Sequence, residues 1–367
     1  MSGAQHEKTD DGRRATEGGR PAPASRRRPP AFSGILNVDK PLGWTSHDIV
    51  ALVRRLSGQR QVGHAGTLDP LATGVLLVAL GAATRLTDYL MHSGKCYLAR
   101  VRLGLRTTTD DAEGQIVLTR PTDGLTRERV VAALAGLRGT VRQVPPSYAA
   151  IKQGGVPAYK LARRGQAAEL PARAVRIDGL ALLSDDGRSE PSGVGKTPLL
   201  DLLVWCSAGT YIRALARDLG EALGCGGHLQ ALRRLSSGAF DVEGAVGVTA
   251  LRRLAAEGRL HERLYAMDEA VASWPALVVD DATAAAVQHG HAVAQASGVG
   301  RQASVDGGAG ARPGGEDARI YARDGRLLAL ARYDARGQVW QPWKVLAPAG
   351  PGEDHSPLPL STAEQDP

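Results

Sequence analysis

Asp69 is the residue around which chemistry is most readily built. It lies in Gly63-His64-Ala65-Gly66-Thr67-Leu68-Asp69-Pro70-Leu71-Ala72-Thr73-Gly74, with three glycines within a dozen residues and a proline directly after the acid. Glycine permits turns and close backbone approach. Proline pushes the residue before it into an extended or turn conformation. The apolar run Val75-Leu76-Leu77-Val78-Ala79-Leu80 follows and reads as a buried strand. One carboxylate is therefore mounted on a stiff loop at the mouth of a strand, where a rigid scaffold commonly holds functional groups.

A carboxylate in such a place binds metal, works as one of an acid–base pair, or attacks as a nucleophile. Metal binding needs converging ligands, and no HxxxH, DxD or Cys/His cluster accompanies Asp69. Paired acid–base work needs a second carboxylate at a defined distance. Asp88, Asp110 and Asp111 are available, but sequence does not place them. A nucleophilic aspartate needs a cation to keep it ionised and oriented. Arg213 is suited to this, because Gly209-Thr210-Tyr211-Ile212-Arg213 puts it in the first turn of a helix after a strand end. The structural alternative for a single Asp in a turn is an Asx turn or a helix cap.

The elements that must position these groups follow from pattern. Gly34 to Pro41 reads as a short strand ending in a turn, and Ser46 as the N-cap of a helix with Ile49, Leu52, Val53 and Leu56 at helical spacing. A short helix is expected over Thr84–Leu90. Tyr97, Ala99, Val101 and Leu103 alternate with Cys96, Leu98, Arg100 and Arg102, which is a strand with arginines on one face. Thr126 caps a helix carrying Val130, Val131, Leu134 and Leu137. A strand over Leu200–Trp205 leads into a helix over Tyr211–Leu223 that Gly224 ends. Without regular βαβ alternation, the expected class is α+β with a mixed, mainly antiparallel sheet flanked by helices. Residues 184–198 read as an inserted surface loop. Gly195-Lys196-Thr197 within it fails as a P-loop, because Glu190 stands where the first glycine belongs. A composition break near Ser273-Trp274-Pro275 separates a catalytic region, 32–273, from a small β-rich domain, 276–349. That domain has a strand at Leu277–Val279, an alanine-rich helix closing at Gly290, a Gly-rich insertion at 298–316, and a meander turning at Asp324-Gly325.

The 367 residues are 43% hydrophobic and 23% charged, an ordinary globular composition. No apolar run is long enough to span a bilayer, and the N-terminus shows no secretory h-region. Cys96, Cys206 and Cys225 are widely spaced, which fits a reducing, cytoplasmic setting without a disulfide framework or CxxC zinc site. Of the net charge of +7, residues 1–31 carry +3 and residues 350–367 carry −4, which leaves +8 on the body. A basic body suits a polyanion such as nucleic acid. Both terminal segments are too poor in large apolar residues to offset their ordering entropy and are expected to be disordered.

Several of these segments together resemble the TruB family of tRNA pseudouridine synthases, which act on uridine-55 of the T-arm. Gly63–Gly74 is similar to the catalytic motif, and Leu36-Asn37-Val38-Asp39-Lys40-Pro41-Leu42-Gly43-Trp44-Thr45-Ser46 to the opening motif. Lys95-Cys96-Tyr97, Gly209–Arg213 and Leu232-Arg233-Arg234-Leu235 resemble three more, in family order over roughly 34–240. The resemblance implies a pseudouridine synthase fold. It makes Asp69 the attacking acid, Arg213 its ion-pair partner and Tyr97 the ring that stacks on the flipped base. It places Tyr211 and Leu232 in the pocket wall, His64 in RNA engagement, and Lys40 with Pro41 in support of the loops. The reaction breaks the N-glycosidic bond, turns the uracil and rejoins it to ribose through carbon, so neither cofactor nor metal is implied. Both the ribose carbon and the uracil ring are open to attack by Asp69. The target base must be flipped out of a folded RNA loop and stacked on an aromatic ring.

The sequence departs from the family at Thr108, where many members carry an acid, which leaves Asp110 and Asp111 outside the implied site. Residues 276–349 resemble a PUA-type RNA-binding module. The implied partner is tRNA through its T-arm stem-loop, bound by a monomer with no membrane and no obligate protein partner. Two other readings remain: an RNA-binding or tRNA-folding protein with secondary or lost catalysis, and a guide-RNA-directed synthase that needs protein partners.

Overall fold

In the computed structural model, the described residues are 32–149, 151–153, 155–162, 164, 170–184, 189–192, 195–294, 301–302 and 317–346. The two terminal tails and nearly all of the Gly-rich 298–316 segment lie outside them.

The segment from Gly34 forms β1 (Gly34–Lys40), and the apolar run after Asp69 forms β3 (Ala72–Leu80), with the short β2 (Val62–Ala65) paired to its outer side. Strand β3 does not alternate in sequence because both its faces are covered. Leu76, Val78 and Leu80 enter the main core, while Val75, Leu77 and Ala79 meet Ile35, Leu90 and Phe240 on the other side. Strand β4 (Lys95–Leu103) buries Tyr97, Ala99, Val101 and Leu103 and turns Arg100 outward to Asp201 at 2.7 Å.

Five further elements complete the frame: β5 (Gly139–Gln143), β6 (Arg173–Ser184), β7 (Ser189–Ser192), β8 (Gly195–Cys206) and β9 (Gly227–Ser237). The main path of the sheet runs Val246–Gly247, β1, β3, β9, β4, β8, β6, β5. Only the first pair and β3–β9 are parallel; the other neighbours on this path are antiparallel, as an α+β mixed sheet requires. The parallel contact of β3 with β9 depends on Gly74, which opposes Arg234 at φ +97°. A Cβ there would lie 2.2 Å from the Arg234 carbonyl oxygen. Within the segment read as a surface loop at 184–198, the described residues of β7 are a strand instead, paired antiparallel with the first residues of β8 in register Ser189↔Pro198 to Ser192↔Gly195. Its Gly and Pro content suggested a loop, but a strand already in a sheet can extend past its neighbour and recruit a partner.

Helix α1 (Ser46–Ser57) is capped by Thr45, not by Ser46. Thr45 Oγ1 accepts from the Asp48 N–H at 3.1 Å and the Asp48 carboxylate accepts from the Thr45 N–H at 2.8 Å, a reciprocal box. Three residues after Ser46 stands Ile49, which cannot reciprocate, and the Ser46 hydroxyl is used elsewhere. The helix expected over Thr84–Leu90 starts as a tight turn at Gly81–Leu86 and becomes α2 (Thr87–His92). Helix α3 (Arg127–Gly136) is capped by Thr126 as expected. Helix α4 (Ile212–Ala222) begins one residue later than expected, with Tyr211 as its N-cap. It buries Ile212, Leu215, Ala216 and Leu219 in the main core.

The β-rich C-terminal part holds β10 (Ala276–Val279), α5 (Asp281–Gln288), β11 (Asp317–Ala322), β12 (Leu327–Asp334) and β13 (Val339–Val345). β11 to β13 form the expected meander, and β10 adds parallel to β11. This sheet has its own core, including Val287, Ile320, Leu328 and Trp340. It is also tied to the larger sheet: Leu86, Val271, Leu327, Leu330 and Leu346 share one cluster, and Lys344 Nζ donates to Arg85 O at 2.6 Å. Among the described residues, no helix is long and apolar enough to cross a membrane.

Candidate active site

The Asp69 loop is fastened on both sides. Ser46 Oγ accepts from Leu68 N–H at 2.8 Å and donates to Leu68 O at 3.1 Å, fixing the peptide next to Asp69 from the first turn of α1. On the far side, Pro70 O accepts from Gly43 N–H at 2.9 Å and from Lys40 Nζ at 3.4 Å, and Asp69 O accepts from Ala72 N–H at 3.0 Å. Lys40 is fully buried and also donates to Pro41 O and Trp44 O, so one ammonium joins the 41–44 turn to the Asp69 loop. Burial pushes its pKa down from 10.5 to about 8. Before the acid, Arg234 reaches under the loop, donating through Nη2 to Gly66 O at 3.0 Å and through Nε to Val75 O at 2.6 Å.

Arg213, buried at the start of α4, brings its Nε to 3.0 Å from Asp69 Oδ2. The contact is an ion pair, but the N–H is not aimed well enough at the oxygen for a hydrogen bond. The other guanidinium nitrogens are anchored elsewhere. Nη1 donates to Thr109 O at 3.2 Å and to Asp111 Oδ2 at 3.4 Å, and Nη2 to Tyr148 O at 3.0 Å. Asp111 was set apart by the departure at Thr108, yet it is buried and shares Arg213 with Asp69. Asp110 pairs with Arg217 at 3.0 Å, one helical turn further along α4. Two consecutive acids in an extended chain face opposite ways. Here both face one helix because Asp110 adopts φ +59°, a left-handed conformation that aspartate tolerates better than most residues.

These groups border a cleft of about 500 Å³, within the range of small-molecule sites. Asp69, Tyr97, Tyr211, Arg213 and Leu232 line it together with Lys95, Met91 and Arg234. The Asp69 side chain lines the cleft and is 36% exposed. Burial raises its pKa, Arg213 opposes that rise, and Asp111 adds to it. Burial likewise raises the Tyr97 phenol, with Arg234 opposing, so this ring is an uncharged wall at neutral pH. Lys95 donates to Met91 O and Ser93 O and is lowered by burial to about 8.

The structure thus brings Asp69, Arg213, Tyr97, Tyr211 and Leu232 to one cleft. Lys40 stands behind it as a loop support. His64 is on β2, outside the residues that line the cleft, with its ring edge-on to His47 at 5.4 Å. Burial and the His47 charge lower its pKa. Sequence reasoning missed the roles of Ser46, Asp111 and Arg234. Ser46 satisfies the local rule for a cap, Asp111 lies 102 residues from Arg213, and Arg234 stands in a motif that names no partner for it. The doubled arginine of Leu232–Leu235 carried a readable signal: in a strand, one of two neighbours must face inward. Arg234 does, and Arg233 turns out to Asp39 at 2.9 Å.

Solved structures give the first comparison. The chain is similar to the crystal structure of an archaeal box H/ACA sRNP Nop10-Cbf5 complex, with TM-score 0.61 and 26% identity over 86% of each chain. A protein of Thermobifida fusca named tRNA pseudouridine synthase B is 46% identical over 315 residues, 86% of this chain and 98% of that protein. Another of the same name from Mycobacterium sp. strain KMS is 49% identical over 280 residues, 75% and 89% respectively. On this fold, and with these relatives, the chain is a pseudouridine synthase. The family model for TruB family pseudouridylate synthase, N terminal domain, matches residues 54–212, and that for the tRNA pseudouridylate synthase B C-terminal domain matches 213–272. The chain belongs to the TruB family.

Proposed function

We propose that this chain isomerises uridine-55 in the T-arm loop of tRNA, with Asp69 as nucleophile. The observation that carries the reading is the 3.0 Å approach of Arg213 to Asp69, the one carboxylate that lines the cleft among the described residues. Burial favours the protonated acid, and the guanidinium counters it and holds the oxygen toward the substrate. Tyr97 and Leu232 offer flat and apolar surface to a flipped uracil, and Tyr211 closes the wall beside them. The C1′–N1 bond breaks, a C1′–C5 bond forms, C5 loses its proton and N1 gains one. The product is an isomer of the substrate, and no electrons are exchanged with a second reactant. The basic body and the C-terminal sheet, read as a PUA-like module, supply the grip on the tRNA backbone. In this reading the chain works as a cytoplasmic monomer.

The test is pseudouridine mapping on an unmodified tRNA transcript. The wild type modifies position 55, and Asp69→Asn binds the transcript without modifying it. An unmodified uridine-55 despite tight binding by the wild type would sink the proposal and favour an RNA-folding role.

A further inference from the structure

We propose that Gln143 is a positioning residue of this active site: its buried carboxamide clamps the backbone of Tyr211 and so sets where α4 begins and where Arg213 meets Asp69. The inference rests on the reading of Asp69 as nucleophile. Gln143 is the last residue of β5 and is 3% exposed. Its Oε1 accepts from Tyr211 N–H at 2.8 Å, and its Nε2 donates to Tyr211 O at 3.0 Å. Two opposed hydrogen bonds to one residue's backbone make the side chain a rung between the sheet edge and the loop, which fixes both the position and the rotation of that residue.

Tyr211 is the N-cap of α4 but supplies no side-chain cap of its own. Its carbonyl accepts the first intrahelical bond, from Leu215 N–H at 3.0 Å, as well as the Gln143 amide. Arg213 follows two residues later. The same strap of chain grips α4 twice more, where Val144 O accepts from Arg217 at 2.8 Å and Tyr148 O from Arg213 at 3.0 Å. In those two bonds α4 reaches out to the strap. At Gln143 a side chain of the strap reaches back. The Arg213–Asp69 contact is an ion pair without an aligned hydrogen bond, so its geometry rests on the guanidinium's anchors at Thr109 O, Asp111 and Tyr148 O together with whatever holds the helix start.

Loosening the clamp therefore has a signature that general destabilisation lacks. Arg213 opposes the burial-driven rise of the Asp69 pKa. A retreating Arg213 lets that pKa climb, and the acid limb of the rate profile moves to higher pH. Gln143→Glu adds a conditional version. A protonated glutamic acid donates and accepts as the amide does, whereas the carboxylate keeps the acceptor and turns a charge on Tyr211 O.

The experiment measures single-turnover pseudouridine formation and tRNA binding for the full chain across about pH 5 to 9. Gln143→Met is expected to react about 10-fold more slowly at neutral pH, with transcript affinity within about twofold and the acid limb moved upward. Gln143→Glu is expected to approach the wild-type rate, compared at the same pH, as pH falls. A Gln143→Met acid limb that coincides with the wild type overturns the proposal, as does a Gln143→Glu to wild-type ratio that is flat in pH. Should Gln143→Met fail to fold, the Gln143→Glu ratio decides alone. Asp69→Asn run beside them separates the two readings. Full activity there removes the nucleophile reading, whereas an inactive Asp69→Asn with wild-type-like Gln143 variants removes only the clamp.

Discussion

Replacing Arg213 by lysine keeps the positive charge and removes the fork. The buried guanidinium serves Asp69, Asp111, Thr109 O and Tyr148 O from three nitrogens. A lysine ammonium is a point charge on a flexible stem and cannot reach acceptors on opposite sides of a planar group. Each buried acceptor left without a donor costs about 1–3 kcal/mol. With two carbonyls orphaned and one carboxylate partly regained, the variant should be about 3 kcal/mol less stable. The catalytic loss is separate. Removing one preorganised electrostatic partner costs on the order of 100-fold in rate, and Arg213→Lys should lose about that much at neutral pH. Burial still raises the Asp69 pKa while the opposing cation is weakened, so the acid limb should move to higher pH. The deficit should consequently shrink as pH rises, because the wild type has nothing further to gain there. Urea melts give the stability, and single-turnover pseudouridine formation over pH gives the rest. A rate loss that is the same at every pH, with an unmoved acid limb, would refute the claim that Arg213 keeps Asp69 ionised.

Two further outcomes follow from the scaffold. The Lys40 pKa is about 8 in the folded chain against an ordinary 10.5, so between these values the unfolded chain holds a proton that the folded chain has shed. Stability should therefore rise with pH through that window, by about 3 kcal/mol from this group. Denaturant melts should show Lys40→Met lacking that rise, and parallel curves for the two proteins would count against it. Gly74→Ala puts a Cβ 2.2 Å from Arg234 O at φ +97°, so it should cost at least about 3 kcal/mol and lower the yield of folded protein. An unchanged melting temperature would contradict the close approach of β3 to β9.

Much of the frame was legible beforehand because it rests on local signals. The Thr126 cap, the alternation in β4, the unbroken apolar run of β3 and the Asp324-Gly325 turn each report on their immediate neighbours, and each appears in the fold. Ser46 shows where such reading stops. A serine before a periodic apolar run satisfies the local rule for a cap, but the box Thr45–Asp48 does it better. That releases the hydroxyl for Leu68, 22 residues away. The strand β7 was hidden for a related reason. Its Gly, Ser and Pro content is that of a loop, and only the neighbouring β8 makes a strand of it.

Within the cleft, residue types and loop chemistry put Asp69 forward as a candidate and Arg213 as a suitable cation, because an ionised acid on a glycine-bounded loop needs a cation and the start of a helix could bring one, and the family resemblance supplied their roles. The partners that make the pair work lie far along the chain. Asp111 and Gln143 stand 102 and 68 residues from the α4 groups they bind, and no periodicity spans such distances. A left-handed Asp110, a sheet that sets β5 beside β6, and the burial that raises the Asp69 pKa all arise only once the chain is folded. Composition and spacing put forward a candidate acid, since the chemistry of a carboxylate is its own. Its ionisation and aim belong to the folded chain, because they depend on charges and donors that folding alone brings within a few ångströms.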